Sequence, residues 1–186
     1  MTAAGILRLS PSNLARLILC PAYIGAPFDP ESRLKLQGLH AIAVLRVIAR
    51  HIKQGFQLKS LERRGRGFRI DLEFLASDGR VRVSEVKSAR NLSEVHRIQA
   101  ALYWHEGTHD EVVLSNGTTD IALAREYVEE VHRRAETTRR FLMQSPDRAA
   151  VSFRPSSCVC RICANYHCPF LPKKEAADQG IFSSGK

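Results

Sequence analysis

Two carboxylates and a lysine have residue types and a spacing that indicate a specific chemistry: Asp71, Glu85 and Lys87. Strand residues two apart project from the same face, so a strand over residues 85–87 places the Glu85 carboxylate beside the Lys87 ammonium group. With Asp71 on that face, the two carboxylates offer the oxygen ligands that Mg²⁺ or Mn²⁺ requires. Lys87 would then stabilise a metal-activated hydroxide or the charge on a phosphate during in-line attack. The alternative for the same residues is a cross-strand ion pair, which needs no metal.

Cysteines form the second group with specific chemistry, because four of the five lie within eleven residues near the end of the sequence: Cys158, Cys160, Cys163 and Cys168. Such crowding is typical of metal or iron–sulfur ligation. Cys160, Cys163 and Cys168 supply three thiolates, and a four-coordinate site needs a fourth ligand. The sequence offers two sources for this fourth ligand. Cys158 or His167 would complete a local zinc site, whereas Cys20 would join the site from the other end of the chain.

Hydrophobic periodicity predicts the elements that must position these residues. The clearest is a β-hairpin, in which residues 68–75 and 81–87 alternate apolar with polar side chains around a turn at residues 77–80. Helices are predicted from Pro11 to before Pro21, over about residues 39–52, over 92–106 and over 125–143, with short strands at 111–115 and 121–123. Arg63, Arg64 and Arg66 precede the hairpin in a segment predicted to be a loop, either contacting phosphates or solvated.

The alternation of strands and helices predicts an α/β protein, and the length predicts a single domain over residues 1–186. Hydrophobic residues make up 44% and charged residues 25%, which excludes a disordered or fibrous chain. The net charge of +9 favours an anionic partner, and nucleic acid is the commonest one. No apolar stretch is long enough to span a membrane and the first residues lack the layout of a signal peptide, so we expect a cytoplasmic protein without a membrane partner.

Several short motifs follow one another in a defined order along the chain: Gly38-x-His40, Asp71, Glu85-Val86-Lys87 and Gln99-x-x-x-Tyr103. This order resembles the RecB-like branch of the PD-(D/E)XK nuclease superfamily. Cys20-Pro21 precedes it and Cys160-x-x-Cys163-x-x-x-x-Cys168-Pro169 follows it, an arrangement similar to the CRISPR-associated exonuclease Cas-four family and its phage-encoded relatives. The resemblance extends from about Leu9 to Phe170. Only Leu39 separates Gly38 from His40, a shorter spacing than the family usually has.

The resemblance implies a PD-(D/E)XK restriction-endonuclease-like core, a mixed sheet flanked by helices, over residues 30–145. Residues 9–29 and 146–171 would form an iron–sulfur lobe from both termini, and 172–186 a flexible tail. By the same resemblance, the metal ligands are His40, Asp71, Glu85 and the backbone carbonyl of Val86. Lys87 would be the catalytic lysine, while Gln99 and Tyr103 would line the active site and orient the DNA strand.

Two cofactors are also implied by the resemblance. A 4Fe-4S cluster would be held by Cys20, Cys160, Cys163 and Cys168, with Cys158 as the spare thiol and zinc as the alternative metal. The second cofactor would be Mg²⁺ or Mn²⁺ at the carboxylates. The implied activity is a DNA exonuclease that trims single-stranded DNA in the 5′ to 3′ direction. It would serve CRISPR prespacer processing beside integrase proteins, or phage DNA replication or recombination beside phage replication proteins.

The residues leave a second class of function open. A non-catalytic zinc or iron–sulfur module could bind nucleic acid through its basic surface, with Asp71, Glu85 and Lys87 forming an ordinary ion pair. Loss of cleavage without loss of DNA affinity in a Lys87→Ala variant would separate the enzyme from the binding module.

Overall fold

A computed structural model of the chain describes residues 9–21, 23, 30–65, 68–104 and 108–144. Within these ranges the elements are α1 (Pro11–Leu19), α2 (Pro30–Lys53), β1 (Gln57–Gly65), β2 (Phe68–Leu75), β3 (Val81–Lys87), α3 (Glu94–Ala101), β4 (Glu111–Asn116), β5 (Asp120–Ala122) and α4 (Arg125–Gln144). The protein is therefore α/β, as predicted. The C-terminal cysteines, most of the expected iron–sulfur lobe and the expected tail at 172–186 lie outside the described residues.

The five strands form one mixed sheet in the order β1-β2-β3-β4-β5. Only β3 and β4 are parallel, and α3 lies in the crossover between them, as a parallel connection requires. The predicted hairpin is confirmed, because β2 and β3 pair antiparallel from Leu72 opposite Ser84 to Leu75 opposite Val81. Gly79 has φ +86° in the turn, a conformation that glycine adopts without steric cost.

Helices cover both faces of the sheet and enclose two apolar clusters. On one face, α2 packs on the sheet through Ala43 and Val47, which meet Leu72, Phe74 and Val86. On the other face, α1, α3 and α4 pack together over the sheet in the larger cluster, which includes Leu14, Ile98, Val131, Val83 and Leu114. Asp71, Glu85 and Lys87 thus lie on strands that helices cover from both sides. None of the described helices combines the length and the apolar character needed to cross a membrane.

Strand β1 is an element that the sequence analysis missed. The segment around Arg63 and Arg64 was predicted to be a loop, but it is the edge strand of the sheet, paired with β2. Its sequence, QLKSLERRG, shows no clear alternation, because charged side chains are tolerated on an edge strand that is solvated on its outer side. Ser60 Oγ and Arg63 Nη1 donate to the buried Glu73 carboxylate at 2.7 and 2.6 Å, which ties β1 to β2.

Two predicted helices have different limits in the structure. The helix predicted over about 39–52 begins nine residues earlier, at Pro30, whose fixed φ suits a first helical position. The helix predicted over 92–106 covers only Glu94–Ala101, so Tyr103 lies just beyond its end. The predicted capping of α1 is confirmed, since Ser10 Oγ accepts from the Asn13 N–H at 3.4 Å and Cys20 follows the last turn.

Candidate active site

The β2–β3 hairpin opens at the position of the two predicted carboxylates. The paired ladder ends at Leu72 and Ser84, so that Asp71 and Glu85 stand opposite one another one step beyond the last pair. In place of the next ladder bond, the Val86 N–H donates to Asp71 Oδ2 at 2.9 Å. Both carboxylates are almost fully buried, at 5% exposure for Asp71 and 3% for Glu85. The opening of the hairpin therefore gathers two buried acids at one point.

Gln99 connects the remaining predicted residues of the site. Its Nε2 donates to Glu85 Oε1 at 2.7 Å and lies 3.4 Å from the Tyr103 hydroxyl, while its Oε1 accepts from Lys87 Nζ at 2.9 Å. Lys87 Nζ also donates to Glu85 Oε1. Because Gln99 lies on α3 and Glu85 and Lys87 lie on β3, the packing of that helix on the sheet sets the geometry of the network.

The two carboxyl groups have opposite pKa shifts. Burial raises the pKa of Glu85 to about 8, and the neighbouring Asp71 charge adds to this shift, while Lys87 opposes it. Burial also opposes ionisation of Asp71, but hydrogen bonds from His40 and from the Val86 N–H outweigh it and hold the Asp71 pKa below its ordinary value. Burial and the Asp71 charge therefore favour a proton on Glu85, whereas the hydrogen bonds to Asp71 favour its charged form.

Tyr103 remains a neutral phenol beside this pair. Burial raises its pKa, and the charge of Glu85 raises it further. Its hydroxyl is therefore available at neutral pH as a hydrogen-bond donor in the site.

His40 reaches the site from the opposite face of the sheet. Its Nε2 lies 3.6 Å from Asp71 Oδ1, and its side chain is 28% exposed. The short spacing from Gly38 therefore does not keep His40 away from the acids. Among residues 9–21, 23, 30–65, 68–104 and 108–144, no three His, Cys, Asp or Glu side chains form a ready-made metal-binding group. Two adjacent carboxyl groups, one with a pKa raised by burial, are nonetheless a donor set that suits a hard divalent cation.

A cleft of about 820 Å³ opens over these residues. This volume lies within the range of small-molecule and cofactor sites. The cleft is lined by the predicted set His40, Asp71, Glu85, Val86, Lys87, Gln99 and Tyr103, so the structure brings all seven together. Cys20 is buried after α1 and does not line the cleft.

Sequence reasoning missed several cleft residues: Ser10, Ser12, Arg33, Gln37, Phe68 and Arg69. They come from α1 and its N-cap, from α2 and from β2, and only Arg33 and Arg69 belong to the excess of basic residues that the sequence shows. Arg64, which the sequence analysis placed in a loop, also lines the cleft from β1.

Comparison of the chain with protein-family models, with curated proteins and with solved structures returned no match. The geometry of the cleft and the chemistry of its side chains are therefore the basis for assigning a function.

Proposed function

We propose that the protein is a metal-dependent deoxyribonuclease with a PD-(D/E)XK core that trims single-stranded DNA as an exonuclease. The observation that carries the proposal is the contact of Asp71 and Glu85 at the opening of a hairpin, with Lys87 bonded to Glu85 in the same cleft. Burial of two acids beside each other costs folding free energy even when both have hydrogen-bond partners, and a binding module has no need of such an arrangement.

Each residue of the site has a role in this chemistry. Asp71 and Glu85 would hold Mg²⁺ or Mn²⁺, with His40 and the Val86 carbonyl as further ligands by resemblance to the nuclease family. The ion supplies a Lewis acid and lowers the pKa of bound water. Lys87, oriented by Gln99, places a positive charge where negative charge develops on the phosphate. Tyr103 donates a hydrogen bond toward the strand in the cleft.

The substrate and context follow from charge and from the same resemblance. A net charge of +9 attracts the phosphate backbone, and the resemblance adds 5′ to 3′ polarity on single-stranded DNA. Cys20, Cys160, Cys163 and Cys168 would hold a 4Fe-4S cluster. CRISPR integrase proteins or phage replication proteins would be the partners.

The test compares Lys87→Ala with Lys35→Ala, which removes an exposed lysine of α2 outside the cleft. Digestion of end-labelled single-stranded DNA with Mn²⁺ should fall about 10²- to 10³-fold in Lys87→Ala, as for the loss of one group that stabilises the transition state. DNA binding in EDTA, measured by fluorescence anisotropy, should fall only slightly in either variant. Lys35→Ala should cut like the wild type.

Two results would contradict the proposal. Wild-type rates in Lys87→Ala would remove Lys87 from the mechanism. A wild-type protein that binds DNA but never shortens it, with any divalent metal, would instead identify a binding module.

A further inference from the structure

Two arginines stand directly opposite each other at the rim of the cleft. Arg64 on β1 pairs in register with Arg69 on β2, and both side chains line the cleft that contains Asp71 and Glu85. The arginines are exposed, whereas the two acids are buried. The positive charges therefore lie at the rim and the carboxylates at the floor.

This pairing is unfavourable in the absence of a ligand. Like charges directly opposite on antiparallel strands destabilise the pair of strands. Arg64 forms no ion pair with any of the described residues, and Arg69 has only Glu62, at 3.6 Å, with both side chains about half exposed at 49% and 48%. An exposed pair of this kind offsets little of the repulsion.

The neighbouring arginine provides a contrast on the same strand. Arg63 bonds the buried Glu73 carboxylate at 2.6 Å and thereby helps to hold β1 on β2. Within the described part of the chain, Arg64 has no such contact with a carboxylate.

We propose that Arg64 and Arg69 form a clamp for the phosphate backbone of the strand that enters the cleft. The proposal rests on the nuclease function above and extends it to residues that hold the substrate without taking part in the chemistry. Two guanidinium groups on adjacent strands can each donate two hydrogen bonds to a phosphate, and an anion between them removes their repulsion. The clamp recognises a chain of phosphates and is indifferent to base sequence.

The test uses the full-length protein with both arginines removed, as Arg64→Ala with Arg69→Ala. The matched control removes two arginines from the exposed surface of α4, as Arg133→Ala with Arg140→Ala, and changes the net charge equally. Thermal unfolding is measured in EDTA with increasing tripolyphosphate. Binding of a labelled single-stranded oligonucleotide is measured in EDTA over a range of salt concentrations.

Tripolyphosphate should raise the melting temperature of the wild type and of the α4 control, and leave the clamp variant unchanged. Without tripolyphosphate, the clamp variant should melt no lower than the wild type, because the repulsion is gone. The plot of log affinity against log salt has a negative slope, and this slope should become shallower by about 1.4 in the clamp variant. The expected change is about 0.7 for each of the two lost phosphate contacts with a single strand.

Equal responses of all three proteins to tripolyphosphate, or equal salt slopes, would overturn the clamp. That outcome leaves the nuclease intact if the wild type still cuts DNA. Conversely, both responses could be lost in the clamp variant alone while the wild type never cuts DNA. That result would support the clamp and contradict the proposed catalytic function.

Discussion

At the scale of single residues, Asp71 and Glu85 show how position alone separates two similar acids. Asp71 accepts hydrogen bonds from the Val86 N–H and from His40, which stabilise its charge. Glu85 is buried between Asp71 and Lys87, and burial raises its pKa to about 8. A metal ion placed between the carboxylates would replace the proton on Glu85, so metal binding and deprotonation are coupled.

The raised pKa of Glu85 predicts how the stability of the metal-free protein depends on pH. The Glu85 pKa rises from 4.5 to about 8 on folding, so its contribution to stability is complete below pH 4.5 and is lost as the pH rises through 8. Glu85→Gln, which keeps a neutral polar group, should lack this loss. Urea unfolding in EDTA between about pH 5 and pH 9 should therefore give curves for variant and wild type that diverge as the pH rises.

The control for this prediction is Glu136→Gln, an exposed glutamate of α4 whose stability curve should follow that of the wild type. Mg²⁺ or Mn²⁺ should restore stability at high pH in the wild type and not in Glu85→Gln. Parallel curves for all three proteins would contradict the assignment of a protonated Glu85.

At the scale of elements, Arg50 anchors α2 to the turn between β4 and β5. Its guanidinium donates to both Asp120 carboxylate oxygens, at 2.7 and 2.5 Å, and to the backbone carbonyls of Gly117 and Asn116. Ser115 adds a hydrogen bond to Asp120 at 2.7 Å. Since α2 also carries His40, this contact at one end of the helix supports the position of a site residue nearer its middle.

Arg50→Ala should lower the free energy of unfolding by about 2 kcal/mol, because it leaves the Asp120 carboxylate with one side-chain donor in place of three. Lys53→Ala, three residues further along α2 and exposed, should change it by less than about 0.5 kcal/mol. Urea denaturation measures both. Equal losses in the two variants would indicate a general effect on the helix rather than the loss of this anchor.

Elements also differ in how far the sequence could predict them. The β2–β3 hairpin was predictable because its alternation has the period of a strand and its turn contains Gly79. Strand β1 was not, because its residues do not alternate, and its contacts from Ser60 and Arg63 to the buried Glu73 join residues that are distant in the sequence. That acid also contacts His109 Nε2 at 2.9 Å, thirty-six residues later in the chain. No local pattern records such a contact.

At the scale of the whole molecule, the site lies at the opened hairpin, where both layers of helices contribute side chains. α2 brings His40 from one face of the sheet, and α3 brings Gln99 from the other. The layers are joined by the sheet that they enclose. A change in either layer is therefore expected to disturb the same cleft.

Cys20 gives a prediction for the whole chain, since its proposed ligand partners are about 140 residues away. Anaerobically purified wild-type protein should contain about four irons per chain and absorb broadly in the visible range. Cys20→Ser should lose iron and melt at a lower temperature, because a cluster bound only by the folded chain contributes folding free energy.

Cys158→Ser is the matched control and should retain the iron. Zinc in place of iron would contradict the cluster. Iron loss in Cys158→Ser alone would identify Cys158 as the fourth ligand and Cys20 as the spare thiol. Neither result would affect the assignment of Asp71, Glu85 and Lys87.

The sequence by itself determined the α/β class and the hairpin, because strand alternation is a local property of a chain, and it singled out Asp71, Glu85 and Lys87 by type and spacing. The other four predicted residues that line the cleft came from the resemblance of short motifs: His40, Val86, Gln99 and Tyr103. Only the tertiary structure decided that the hairpin opens at Asp71 and Glu85, that β1 is the edge of the sheet, and that Arg64 faces Arg69. These features depend on register and on contacts between distant residues. Register follows from the packing of the whole sheet, so the periodicity of the amino-acid sequence does not predict which residues pair across two strands.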